Sequence, residues 1–200
     1  MRKTIAKQLR QPSGFLGKLL SKFLKKMNSD IYDQVILDIA AKPGDEIFEI
    51  GYGHGAGIKR IVSKVDCQVS GIDFSEVMYN DASNLLKKYV ANGNVNLDFG
   101  DFLVFEMPSN TFTTVFCVNV IYFWDDLLEP FNKINKSLKS NGAFLIYMDS
   151  LEDIKNSRFT DTKNFNHFDK AFVLEQLKMS GFTSTSYDFE RGHIIRAIKA

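Results

Sequence analysis

Glu49-Ile50-Gly51-Tyr52-Gly53-His54-Gly55-Ala56-Gly57 is the stretch whose reading decides the fold. The run Glu46 to Ile50 ahead of it reads as a strand and the pattern from Gly55 to Val65 behind it as a helix, so four alternating glycines mark a strand-to-helix junction. Glycine lets the backbone turn tightly and come close to a ligand, and the following helix offers free N–H groups and a positive dipole end to an anionic group. Gly51-x-Gly53-x-x-Ala56 also satisfies the dinucleotide fingerprint, and Asp73 follows about 20 residues on, where ribose hydroxyls are held. The loop marks a cofactor site and leaves the class of cofactor open.

Outward from the loop, short apolar strands alternate with helical patterns. Strands are expected at Gln68 to Ile72, Asn94 to Phe99, Thr114 to Asn119 and Ala143 to Met148, and helices at Ser75 to Val90, Leu127 to Lys139 and Phe168 to Ser180. Such alternation implies right-handed crossovers and a mainly parallel α/β sheet with helices on both faces. Only Glu190-Arg191-Gly192-His193 separates the last two strands, Thr183 to Phe189 and Ile194 to Lys199, so these form an antiparallel hairpin. The expected fold is therefore a Rossmann-like sheet of seven strands. Ahead of it, Phe15, Leu16, Leu19, Leu20, Phe23, Leu24 and Met27 recur at helical spacing, and a second helix from Ile31 to Ala40 stops at Pro43-Gly44. Residues 1–43 thus read as a helical leading segment and 44–200 as the sheet domain, one structural domain overall.

The chain has 200 residues, 44% hydrophobic, enough for one substantial core. Its net charge of +1 points to no polyanionic partner, and no nucleic acid is expected. The charge is uneven: the first 29 residues hold eight lysines and arginines and no acid, leaving 17 basic against 24 acidic residues beyond them. That basic end reads as a solvated helix face, with weak contact to a membrane surface as the competing reading. Cys67 and Cys117 form neither a Cys-x-x-Cys pair nor a zinc spacing, and no run approaches the roughly 20 apolar residues of a membrane span, so the cytoplasm is the expected location. Composition leaves the oligomeric state open.

Residues 44–200 resemble the class I S-adenosylmethionine-dependent methyltransferases, and the leading segment, with Arg10-x-Pro12-Ser13-Gly14-x-x-Gly17 and Met27-Asn28, resembles a small bacterial subgroup of ubiquinone/menaquinone-methyltransferase-like type. The resemblance implies that Glu49 is the acidic first-strand residue and that Gly51, Tyr52, Gly53 and Gly55 lie against the methionine part of S-adenosyl-L-methionine. It implies further that Asp73, with Phe74 beside it, grips the ribose hydroxyls. Gly100-Asp101-Phe102 resembles the turn whose aspartate approaches the adenine amino group and whose next residue packs on the ring. Asn119-Val120-Ile121-Tyr122-Phe123-Trp124 falls where the family's fourth strand ends beside the transferred methyl. Leu138-Lys139-Ser140-Asn141-Gly142 resembles a Leu-Lys-Pro-Gly-Gly turn with two departures, and the leading helices correspond to a lid over the acceptor pocket.

The implied reaction is methyl transfer to a small-molecule acceptor by in-line displacement, in which the protein mainly aligns three atoms and no catalytic constellation is obligatory. Tyr52, Tyr122 and Trp124 are candidates to line a water-poor pocket around the sulfonium. His167, in the loop after the fifth strand, and Tyr122 are the candidate catalytic residues, with His54 behind them and His193 assigned to a hairpin away from the crevice. O-, C- and N-methylation stay open, although Asn-Val-Ile-Tyr lacks the Pro-Pro of enzymes that methylate base or glutamine nitrogens. Asn119 stands where catechol-type enzymes carry an aspartate, so no metal is implied. Three other readings remain: an NAD(P)-dependent oxidoreductase, favoured by the glycine fingerprint but weakened by Glu49, Asp101 and the closing hairpin; an S-adenosylmethionine-binding protein without catalysis; and a structured-RNA methyltransferase using the basic end.

Overall fold

Residues 28–156 and 165–200 are described by a computed structural model. The amphipathic pattern from Phe15 to Met27 lies outside the described residues. Strands β1 (Glu46–Ile50), β2 (Gln68–Asp73), β3 (Val95–Phe99), β4 (Phe112–Val118), β5 (Leu138–Asp149), β6 (Phe182–Phe189) and β7 (Gly192–Lys199) form one sheet in the order β3-β2-β1-β4-β5-β7-β6. The first five pair in parallel, and β7 runs antiparallel to both β5 and β6. This is the Rossmann-like arrangement expected, with its closing antiparallel pair.

Helices α1 (Ser29–Ile39), α2 (Ala56–Val62), α3 (Glu76–Ala91), α4 (Leu128–Ser137), α5 (Leu151–Asn156) and α6 (Lys170–Met179) surround the sheet. Buried residues of α1, α2 and α3, among them Ile31, Val35, Ile58, Ala82 and Leu86, pack with Ile47, Phe116 and Leu145 from one face of the strands. Phe131 and Ile134 of α4 and Val173 and Leu177 of α6 pack with Phe48, Val115, Phe144 and Ile146 from the other. Because both faces are covered, Phe144 to Met148 is buried without interruption, the mark of a central strand between two helical layers.

Several elements depart from expectation. Helix α2 ends at Val62, three residues early, where Ser63 caps it. Helix α4 was expected to reach Lys139, but Leu138 already pairs with Phe112 as the first residue of β5. From that pair to the next, β4 advances from Phe112 to Thr114 while β5 advances from Leu138 to Ala143, so the expected turn is looped out within the strand. Asn141 takes φ +62° there, where the family pattern has a glycine; asparagine is among the few other residues that tolerate it. Helix α5 had no expected counterpart. Finally, β7 lies between β5 and β6, with Gly192 opposite Asp149 and His193 opposite Met148. The hairpin turn is therefore at the carboxyl end of β5 and not remote from the crevice. Chain order hides this, because β6 is made first yet ends at the sheet edge. No helix among the described residues is long and apolar enough to cross a membrane.

Candidate cofactor site

Parallel pairing brings the carboxyl ends of β1 to β5 to one side of the sheet, where ligands bind in open α/β folds. The glycine loop leaves β1 with Gly51, Gly53 and Gly55 at φ +72°, +55° and +81°, conformations that an L side chain rarely adopts. Steric demand adds to this at two of them. A Cβ on Gly51 would stand 2.6 Å from Val120 Cγ2, and one on Gly55 2.9 Å from Leu86 Cδ1 of α3. Gly53 differs: nothing lies within 4 Å of an added Cβ, so the space beside it is open. Helix α2 has only seven residues, so the dipole it turns toward that space is small.

Asp73, the last residue of β2, faces the loop. Its Oδ2 accepts from Gly53 N at 2.8 Å and its Oδ1 from Ser75 N at 2.9 Å. Burial pushes its carboxyl up to about 6, against the lowering effect of those two hydrogen bonds. Ser75 caps α3 by accepting from Met78 N, and Gly100 N donates to the Asp73 carbonyl at 3.0 Å, tying the ends of β2 and β3 together. Phe74 is half-buried between these two turns.

Glu49 is fully buried, and its side chain is on the α1–α2 side of the sheet, where Tyr32 of α1 donates to Oε1 at 3.0 Å. Desolvation is the largest influence on it and raises its carboxyl to about 8, opposed by the Tyr32 hydroxyl and the Ile58 amide. Gly57 makes room for it, since a Cβ there would meet Glu49 Oε2 at 2.8 Å and Tyr32 Cε1 at 2.7 Å. Tyr52 is also in the core: its ring occupies the space that Gly71 leaves bare, and its hydroxyl donates to the Asp98 carbonyl at 2.9 Å.

Asp101 is exposed, with Oδ1 accepting from Leu103 N at 2.9 Å. Phe102 is buried and stacks on Trp124 at 5.4 Å between ring centroids. Asn119 follows β4 at φ +57°, and its Oδ1 is 3.3 Å from both Asp149 N and the Tyr122 hydroxyl. Tyr122 stacks on Phe165 at 4.6 Å, while Asn166 N donates to the Tyr122 carbonyl at 2.8 Å. That segment carries exposed His167 to the Tyr122 side of the crevice, with its ring 6.1 Å from Phe165.

Sequence reasoning missed four participants. Tyr32 holds Glu49, Lys133 reaches the Asp101 turn from α4, and Arg191 Nε pairs with Asp149 Oδ1 at 3.0 Å while its Nη2 donates to Asn28 Oδ1 at 2.9 Å. Asp149 could have been suspected, because it closes β5 as Asp73 closes β2. Burial raises its carboxyl, with Arg191 opposing. The other three carry no local signal, since their partners are distant in sequence.

Comparison with known proteins bears on this geometry. Residues 47–142, from β1 to the looped-out turn of β5, match the methyltransferase domain family. Over that stretch the chain resembles a methyltransferase domain. It is similar to phosphoethanolamine N-methyltransferase 2 of Caenorhabditis elegans, 33% identical over 107 residues, covering 54% of this chain and 24% of that protein. It is also similar to the sterol 24-C-methyltransferase of Saccharomyces cerevisiae, 26% identical over 132 residues, covering 66% of this chain and 33% of that protein. The chain thus spans a third or less of these relatives. Among solved structures, phosphoethanolamine N-methyltransferase 2 of Haemonchus contortus, in complex with S-adenosyl-L-methionine, superposes with a TM-score of 0.72 at 19% identity, covering 83% of this chain and 52% of that one. That likeness concerns the fold alone.

Proposed function

We propose that the chain is an S-adenosylmethionine-dependent methyltransferase acting on a small-molecule acceptor. The observation that carries this reading is Asp73, a buried carboxylate at the end of β2 held 2.8 Å from Gly53 N, beside the open space that Gly53 leaves. A carboxylate so placed accepts hydrogen bonds from a ribose diol, while a loop without Cβ atoms admits the amino-acid end of the same molecule. When bound, the cofactor supplies a methyl group already activated on a sulfonium. The residues of this chain bind and orient. Gly51, Gly53 and Gly55 shape the loop, Glu49 braces it from beneath, Asp73 and Phe74 flank the ribose, Asp101 and Phe102 take the adenine, and Asn119 closes the end toward the acceptor. Tyr122 and Phe165 form an aromatic wall that excludes water there, and His167 is the base best placed at its rim for an acceptor that must lose a proton.

We extend this reading to residues 1–43 as a leading segment to the sheet domain of a cytoplasmic protein, with the eight basic side chains of the first 29 residues read first as a solvated face and second as a weak contact for an anionic membrane surface. The deciding experiment is calorimetric titration of the full chain with S-adenosylmethionine, S-adenosylhomocysteine and NADH under one set of conditions. Micromolar binding of the first two without the third supports the proposal; binding of NADH alone overturns it in favour of an oxidoreductase.

A further inference from the structure

Between β3 and β4 the backbone makes one helical turn at residues 101–105, in which Val104 N and Phe105 N donate to the Asp101 carbonyl at 3.3 and 3.1 Å. An isolated turn leaves N–H groups unmet at its start and carbonyls unmet at its end, and has little stability of its own. At the start, Asp101 Oδ1 accepts from Leu103 N. At the end Phe105 N also donates to the Phe102 carbonyl at 3.2 Å, and Lys133 Nζ of α4 donates to the carbonyls of Leu103, Phe102 and Phe105 at 2.6, 3.0 and 3.2 Å. An ammonium has three protons, and these three acceptors use them all. The same nitrogen is 5.1 Å from the centroid of the Phe102 ring, which stacks on Trp124.

We infer that Lys133 is the positioning residue for the adenine end of the cofactor site, setting the turn on which Asp101 and Phe102 stand. The inference rests on the S-adenosylmethionine reading above. Lys133 acts through the turn. Its charge gathers three carbonyls that would otherwise repel one another, and their convergence holds the backbone in a helical turn that an exposed connection would not keep. Without the ammonium the end of the turn opens, and Asp101 leaves the place from which its carboxylate accepts the purine 6-amino group.

The test compares S-adenosylhomocysteine with S-inosylhomocysteine, in which the 6-amino group is replaced by an oxo group, by calorimetry on the full chain. Wild type is expected to prefer the first ligand, because a carboxylate accepts from an amino group and is repelled by a carbonyl. Lys133→Met is expected to lose on the order of tenfold in affinity for S-adenosylhomocysteine, the worth of about one charge-assisted hydrogen bond. Its loss for S-inosylhomocysteine should be smaller, limited to the Phe102 ring contact that both ligands share, so the preference shrinks, whereas a merely structural role would weaken both ligands alike. Lys133→Arg returns a cation with several donors and should restore the preference. If Lys133→Met does not fold, Lys133→Gln is read in its place. Trp124 is the only tryptophan in the chain, so its emission reports on the turn without ligand; it should shift in Lys133→Met and return in Lys133→Arg. An unchanged preference, or equal losses for both ligands, overturns the inference alone. A wild type that binds neither ligand overturns the methyltransferase reading as well.

Discussion

At the scale of single residues, two buried carboxyls of this domain respond to pH in ways that separate binding from stability. Burial raises Asp73 to about 6, so affinity for S-adenosylhomocysteine should fall as the pH drops below that value, because the protonated form accepts a hydrogen bond more weakly. Asp73→Ala should weaken binding by about 1.5 to 3 kcal/mol for each charge-assisted bond removed and abolish the pH dependence; unchanged affinity would sink the ribose assignment. Glu49 is raised from 4.5 to about 8. Between those values the unfolded chain releases a proton that the folded chain keeps, so the contribution of Glu49 to stability is complete below the lower value and is lost as the pH rises through the upper one. Glu49→Gln lacks this dependence and should therefore gain on wild type by a few kcal/mol between about pH 5 and pH 8 in urea unfolding. A gap independent of pH would mean that Glu49 is ionised in the fold. Asp73 was legible in the sequence from its place at a strand end about 20 residues beyond the glycine loop, and Glu49 from the family resemblance, two residues before Gly51. Their partners were not: Tyr32 is 17 residues from Glu49, and Gly53 is 20 residues from Asp73.

At the scale of elements, the glycine loop shows how packing overrides propensity. Within α2, alanine at position 57 would favour the helix by about 1 kcal/mol over glycine. The added Cβ would nevertheless meet the Tyr32 ring and the Glu49 carboxylate at under 3 Å, both confined between α1 and β1. Overpacking of this kind costs about 1 to 3 kcal/mol, so Gly57→Ala should be destabilised on balance in equilibrium unfolding. A more stable variant would show that α1 can shift away. The same helix α1 is tied to the far strands, since Tyr187 of β6 donates to Asp38 and Arg196 of β7 donates to the Asp38 carbonyl at 2.6 Å. Helix α1 was expected from its apolar spacing, but its docking on the layer that includes Glu49 depends on side chains contributed near the other end of the chain.

At the scale of the whole molecule, one sheet carries both helical layers, and β4 and β5 contribute alternate side chains to each. Neither layer can unfold while the other retains its strands. Trp124 fluorescence, which reports on the α4–α6 layer, and far-ultraviolet circular dichroism, which averages over both, should therefore give coincident denaturation midpoints. Separated midpoints would mean that the layers are independent. Most of this architecture was readable from the sequence alone. Strand and helix periodicity, the positive φ that glycine permits, and the acids at strand ends are local properties, written within a few residues of where they act. Only the tertiary structure decided that β7 would insert between β5 and β6 and bring Arg191 to Asp149, that Lys133 would reach the Asp101 turn from α4, and that Glu49 and Tyr52 would face the core. Those outcomes depend on which segments pair and which faces pack, and these are settled by contacts between residues far apart in the chain.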